Sequence, residues 1–200
     1  MKVTNIKQQL KRNDRYAIHI DGKYVLSLGE SELLHSGLRI GDELTKPEVN
    51  KLKKRAGVDK DLDATMRFVA IRPRSMWEVD NYLKRKGVEE DAKDEILNKL
   101  SNSGFVDDES FARSWVANRR LLKPVSKRRL TQELRIKRVD STVIDKILAE
   151  DEVTDIATLQ QLIAKKRNQY KDDLKFMQYL ARQGYSYQDV KEALSRDIEG

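Results

Sequence analysis

The sequence predicts a mainly α chain: three tandem three-helix repeats forming an elongated, curved array, preceded by a small N-terminal unit with a β-hairpin and short helices. Three observations predict it. Three 23-residue segments align without gaps: SMWEVDNYLKRKGVEEDAKDEIL from Ser75, SKRRLTQELRIKRVDSTVIDKIL from Ser126, and DDLKFMQYLARQGYSYQDVKEAL from Asp172. An amphipathic helical stretch precedes each of them. The first thirty residues instead alternate with a period of two. The expected boundaries are 1–58 for the strand-rich unit and 59–105, 106–151 and 152–200 for the repeats.

Taken in order, Tyr16, Ile18 and Ile20 alternate with Ala17 and His19, and Tyr24, Leu26 and Leu28 with Val25 and Ser27. Asp21-Gly22 between them is a hairpin turn signal. A two-residue loop pairs Ile20 with Lys23 and Ile18 with Val25, which mixes the faces. A three-residue loop pairs Ile20 with Tyr24 and Ile18 with Leu26, which aligns them. The register stays open, and a bulge would reconcile the two. Residues 3–10 can add a third strand. A short helix is expected near Glu30 to His35, stopped by Gly37. Thr45-Lys46-Pro47-Glu48 reads as a capping box for a helix ending near Ala56, before Gly57.

From Leu62 the pattern is helical. The helices preceding the three segments are expected over 62–71, 107–122 and 155–167. The first is ended by Arg72-Pro73, because a proline disfavours helix in the residue before it. Each aligned segment opens on a capping Ser or Asp. Each places a leucine eight residues on (Leu83, Leu134, Leu180) and another fourteen beyond that (Leu97, Leu148, Leu194). Between them lies a break: Lys86-Gly87, Lys137-Arg138 or Gln183-Gly184. One three-helix unit shows a single apolar face and needs neighbours to bury it.

Composition narrows the function. Hydrophobic residues at 38% and charged residues at 36% suit a water-facing helical protein. There is no cysteine, so disulfides and thiolate metal sites are excluded. No apolar run reaches a membrane span, and the opening MKVTNIKQQLKRND has no apolar signal core, so a cytoplasmic location is expected. The two histidines, His19 and His35, stand without a nucleophile or second ligand at a recognisable spacing, and no glycine-rich phosphate loop occurs. No enzyme, cofactor or metal is expected.

Charge is concentrated instead. Residues 110–139 hold Arg113, Arg119, Arg120, Lys123, Lys127, Arg128, Arg129, Arg135, Lys137 and Arg138 against one acid, Glu133. That is +9 in a chain of +7, leaving −2 for the remainder. Arg113 and Arg120, and likewise Arg128 and Arg135, lie seven apart, opposite the apolar stripes Phe111–Trp115–Leu122 and Leu130–Leu134. Single-sign fields repel themselves, so an anionic partner is the expected reason for this one. Arg72 and Arg74 are further candidate contacts. Asp107, Asp108 and Glu109 read as first-turn acids that cap their helix, and Phe111 and Trp115 as core. Tyr185 and Tyr187 are expected to pack between repeats, with Ser186 and Asp189 forming a cap.

The ordered set of Arg72-Pro73-Arg74-Ser75, Tyr82 to Gly87, Gly104 to Ala112, Leu130 to Leu134 and Tyr179 to Tyr185 resembles the RecX family of regulators of the RecA recombinase. The resemblance spans about 64–194. It implies tandem three-helix repeats and a non-catalytic protein that binds along the RecA–DNA filament and lowers filament extension and strand exchange. The implied partners are the RecA filament and single- or double-stranded DNA, met directly or within the filament; no membrane is involved, and a monomer is expected. Arg138 departs from the pattern, standing where the family usually has glycine, which puts the second repeat's helix ending in doubt. The strand-rich unit occurs in only some members. The rival readings are direct, sequence-neutral DNA binding by helix-turn-helix-like repeats and a generic helical adaptor.

Overall fold

A computed structural model describes the backbone of residues 1–198 and the side chains of residues 1–195. The chain forms two compact units, Met1–Ile71 with Asn81–Asn102, and Arg72–Asp80 with Ser103 onward.

In the first unit, β1 (Val3–Gln9), β2 (Arg12–Ile20) and β3 (Lys23–Gly29) form an antiparallel sheet in that order. Asp21 and Gly22 both take positive φ, 49° and 77°, as a two-residue turn with the twist of its strands requires. Ile20 pairs with Lys23 and His19 with Tyr24, and the register then shifts so that Ile18 meets Leu26. Both candidate registers therefore occur, joined by a bulge. The shift keeps Ile18, Ile20, Leu26 and Leu28 buried on one face.

α1 (Glu30–Ser36) ends at Gly37, whose φ of 65° turns its N–H back to the Leu34 carbonyl. α2 (Lys46–Ala70) begins with the expected capping box between Thr45 and Glu48. It does not stop at Gly57. It runs unbroken to Ala70, 25 residues in all, so the expected break between Ala56 and Leu62, and the boundary at 58/59, fall inside one helix. A mid-helix glycine costs about 1 kcal/mol. Contacts made just beyond it offset that cost. Asp59 accepts the Gly29 N–H at 2.8 Å and pairs with Arg15 at 3.0 Å. Asp63 pairs with the same arginine and with Arg12 at 3.1 Å. Arg15 is 4% exposed and also donates to the Ser27 carbonyl at 3.0 Å, so this buried cation fastens α2 to the sheet. α3 (Met76–Arg85) and α4 (Glu90–Asn102) follow, and Tyr82 stacks on Phe68 of α2 with ring centroids 4.2 Å apart.

In the second unit, α5 (Asp108–Leu122), α6 (Lys127–Ile136) and α7 (Ser141–Glu150) form one three-helix repeat. The next is α8 (Asp155–Lys166), a 3-10 turn at Arg167–Gln169, α9 (Asp173–Arg182) and α10 (Tyr187–Ile198). The aligned positions do equivalent jobs. Ser75, Ser126 and Asp172 each accept a backbone N–H of the turn that follows. Leu83, Leu134 and Leu180 are fully buried. At the distal leucines Leu97 and Leu194 are half-buried, while Ile96 and Ile147, one residue before Leu97 and Leu148, lie in the core.

The breaks are equivalent too. Gly87, Arg138 and Gly184 take φ of 71°, 59° and 97°. The N–H of the next residue, Val88, Val139 or Tyr185, returns to the carbonyl of the core leucine. Arg138 therefore preserves the helix ending despite its side chain, at about 1 kcal/mol of left-handed strain. Gly184 has a second constraint. A Cβ there would lie 2.2 Å from Ser126 Oγ and 2.9 Å from Arg129 Cβ, because the end of α9 rests on the start of α6. The Ser126 N–H and hydroxyl both donate to the Gln183 carbonyl at 3.2 Å.

Within the second unit, helix N-termini are also held by acids from other helices. Asp108 accepts the Met76 N–H, the first of α3, at 2.8 Å. Asp155 accepts the Lys127 N–H, the first of α6, at 2.8 Å. Asp107 caps α5 and Asp108 and Glu109 stand in its first turn, as expected; in addition Asp108 reaches α3, and Glu109 pairs with Arg113 of its own helix and with Lys146 of α7. Tyr185 is buried as expected, whereas Tyr187 is 69% exposed, and Ser186 with Asp189 does form a cap.

Two substitutions test these endings. Arg138→Gly removes left-handed strain and is expected to raise unfolding stability by about 1 kcal/mol in urea titration. Gly184→Ala meets both strain and overlap and is expected to lower it by about 2 kcal/mol or more.

Candidate interaction surface

All twelve predicted contact residues fall in the second unit. Folding divides them sharply. Arg72 is bonded to Glu78 at 2.9 and 3.0 Å, and Lys137 reaches the same carboxylate at 2.7 Å. Arg119 and Arg129 pair with Glu133 at 2.7 and 3.4 Å. Arg113 pairs with Glu109 at 2.8 Å and with Glu150. Arg120, largely buried, pairs with Asp151 at 2.6 Å and donates to the Val125 carbonyl at 2.6 Å. Lys127 donates to the carbonyls of Leu148 and Asp151 at 2.9 and 2.7 Å, where the last carbonyls of α7 lack helical partners. Arg74 is half-buried, and burial, followed by the adjacent Arg72 charge, lowers its pKa from the ordinary arginine value.

Four of the twelve remain. Lys123, Arg128, Arg135 and Arg138 are exposed with no carboxylate partner among the described residues. Arg128 and Arg135 lie on the outer face of α6, opposite the buried Leu130 and Leu134. Lys123 precedes that helix and Arg138 follows it. The band is thus a short cationic strip on α6 and its flanks, set on a paired framework.

Beside the framework lies a cleft of about 320 Å³ lined by Arg72, Pro73, Phe111, Trp115, Arg119 and Lys137, with Ser114, Asn118 and Leu122 completing it. Trp115 is half-buried and packs against the core beside Phe111, and its indole N–H donates to Glu133 at 2.9 Å. Arg119 and Lys137 lie over its ring at 5.0 and 5.5 Å from the centroid. Phe111 is buried as expected, but Leu122 is 67% exposed, so the apolar stripe of α5 leaves the core at its C-terminal end.

Glu78 and Glu133 organise this surface, and neither was singled out from the sequence as a pairing centre. Glu133 did carry a signal, as the sole acid of the band and four residues from both Arg129 and Lys137. Glu78 meets Lys137 across 59 positions, which no local pattern reports. Burial opposes ionisation of Glu78, but hydrogen bonds from Arg72 and Lys137 outweigh it and hold the pKa at about 2. Asp108 is shifted the other way, raised by burial.

Among the described residues, no group of three or more His, Asp or Glu side chains could hold a metal ion. No helix among them is long and apolar enough to cross a membrane.

Repeated three-helix units joined through their helix ends, with an exposed cationic strip, define a helical-repeat protein with a surface suited to contact. Residues 1–45 match the model of the regulatory protein RecX N-terminal domain, residues 62–100 that of the RecX first three-helix domain, and residues 107–148 that of the RecX second three-helix domain. Regulatory protein RecX of Listeria monocytogenes serotype 4a is 33% identical over 201 residues, covering 96% of this chain and 74% of its own. That of Bacillus licheniformis is 28% identical, covering 96% and 76%. A crystal structure of regulatory protein RecX superposes with a TM-score of 0.78 at 24% identity, over 96% of this chain and 98% of that one. The structure of RecX from Lactobacillus salivarius gives 0.58 at 23% identity, over 70% and 95%. The chain belongs to the RecX family.

The Glu78 pairings predict a pH dependence. A carboxyl held at about 2 in the folded chain and 4.5 in the unfolded one contributes stability above pH 4.5 that is lost as pH falls towards 2. Glu78→Gln is expected to be less stable than the parent at pH 7, with the difference shrinking between pH 4.5 and 2 in chemical denaturation.

Proposed function

We propose that this chain is a non-catalytic regulator that binds RecA–DNA nucleoprotein filaments and inhibits RecA ATP hydrolysis, filament extension and strand exchange. It acts in the cytoplasm as a monomer. Membership of a family of regulatory proteins, by matches that run from the N-terminal sheet through the second three-helix repeat, carries the reading. The exposed strip supplies the physics. Lys123, Arg128, Arg135 and Arg138 present positive potential that no carboxylate among the described residues pairs with. An enclosed phosphate backbone, or an acidic protein surface in the filament, is its complement. The paired residues Arg72, Arg113, Arg119, Arg120, Arg129 and Lys137, with Lys127 and Arg74, hold that surface in shape and are secondary contacts. Inhibition follows if the bound geometry disfavours turnover, which requires tighter binding to one filament state than to the other.

The α6 strip also favours a second reading, sequence-neutral binding of bare DNA. A salt series on single- and double-stranded DNA, set against the same series on the filament, separates the two. Tighter binding to the filament at every salt concentration supports the first.

Addition of stoichiometric protein to RecA on single-stranded DNA is expected to slow ATP hydrolysis and shorten filaments. Unchanged hydrolysis and length would overturn the proposal. Arg128→Glu with Arg135→Glu is expected to leave helicity intact and weaken filament binding by about tenfold or more. Unaltered binding would remove the strip from the interface.

A further inference from the structure

The cleft beside α5 is distinct from the α6 strip in chemistry. Its floor is apolar, from Phe111, Trp115 and Leu122, and three cations stand at its walls. Each cation is oriented by a buried carboxylate, yet two keep donors to spare. Arg119 spends its Nε–H on Glu133, and both terminal nitrogens have no further hydrogen-bond partner among the described residues. Lys137 spends one of its three N–H bonds on Glu78. With Glu78 and Glu133 counted beneath Arg72, Arg119 and Lys137, the site presents a net +1.

That balance selects among ligands. A nucleic-acid strand brings a charge per phosphate and gains from open aromatic faces on which bases stack. Here Arg119 and Lys137 already occupy the Trp115 ring. A protein segment with one apolar side chain flanked by carboxylates fits better. The apolar group would cover Phe111, Trp115 and the exposed Leu122, and the carboxylates would take the spare donors of Arg119 and Lys137. Tryptophan and arginine at the centre of a concave patch are also the residue types that dominate protein recognition.

We propose that this cleft is a docking site for an acidic peptide segment with a central apolar anchor, carried by a protein partner. The site stands on its own geometry and does not require the filament reading. That reading is tested through ATP hydrolysis and through Arg128 and Arg135, neither of which lines the cleft.

The chain has two tryptophans, so Trp77→Phe leaves Trp115 as the sole reporter. The probe is a capped eight-residue peptide with one phenylalanine among aspartates, free of RecA and DNA. Saturable binding is expected by calorimetry with the wild-type chain, together with a change in Trp115 emission in the variant. Replacing the aspartates by asparagine, or the phenylalanine by glycine, is expected to weaken binding by about tenfold or more. Asn118 is exposed and lines the cleft, so Asn118→Glu is expected to do the same while leaving helicity and thermal midpoint unchanged. Absence of saturation up to about 1 mM peptide overturns the proposal. So does a thymidine oligonucleotide that shifts Trp115 emission and displaces the peptide, which would assign the cleft to nucleic acid.

Discussion

Ten basic residues and one acid within thirty positions cannot fold together unless their mutual repulsion is relieved. Glu78 and Glu133 relieve most of it at the cleft, and Glu150, Asp151 and the α7 carbonyls relieve it elsewhere. Each partner does structural work besides neutralisation. Glu133 fixes the Trp115 indole, Asp151 holds the otherwise buried Arg120, and the Lys127 ammonium closes the end of α7. Removing one partner from a buried pair leaves the other charge uncompensated, which costs more than the pair contributes. The band is therefore a folding device in its own right.

The repeat depends on its endings in a comparable way. Each unit turns through one left-handed residue and sends an N–H back to its core leucine. Glycine is the natural choice at Gly87 and Gly184. Arg138 shows that the motif survives with a side chain, because the ending is fixed by several bonds at once: Lys137, Arg138 and Val139 all donate to carbonyls of the last turn of α6. The strain at Arg138 projects a cation into solvent directly after the α6 strip. At Gly184 the same ending admits no side chain, because Ser126 and Arg129 pack against it.

Local chemistry was legible in the sequence and distant chemistry was not. The eight-residue step from each cap to its core leucine, the serine and aspartate caps, the Thr45 capping box and the Asp21-Gly22 turn all act over fewer than about ten residues, and all appear where expected. The hairpin register was legible only as a conflict, which the bulge at Ile18 and His19 resolves. The continuity of α2 through Gly57 was not legible, since it rests on Arg15 meeting Asp59 and Asp63 more than forty positions away. The division of the basic band was hidden for the same reason: Arg120 to Asp151 spans 31 positions and Lys137 to Glu78 spans 59. Helical periodicity placed Leu122 with Phe111, but a wheel has no knowledge of where a neighbouring helix ends, and Leu122 lies beyond that cover.

Pairing and exposure together separate two kinds of positive charge on this surface. A cation held by a buried carboxylate has a fixed direction and a small net field, which suits short-range, oriented hydrogen bonds. A cation on a solvated helix face keeps its full charge but little orientation, which suits a repeating anion read without regard to sequence. Arg119 and Lys137 are of the first kind, Arg128 and Arg135 of the second. The first kind can choose a particular partner segment, while the second adds attraction and speed of encounter along any polyanion. The spacing of acids through the chain, not the count of bases, is what separates the two kinds.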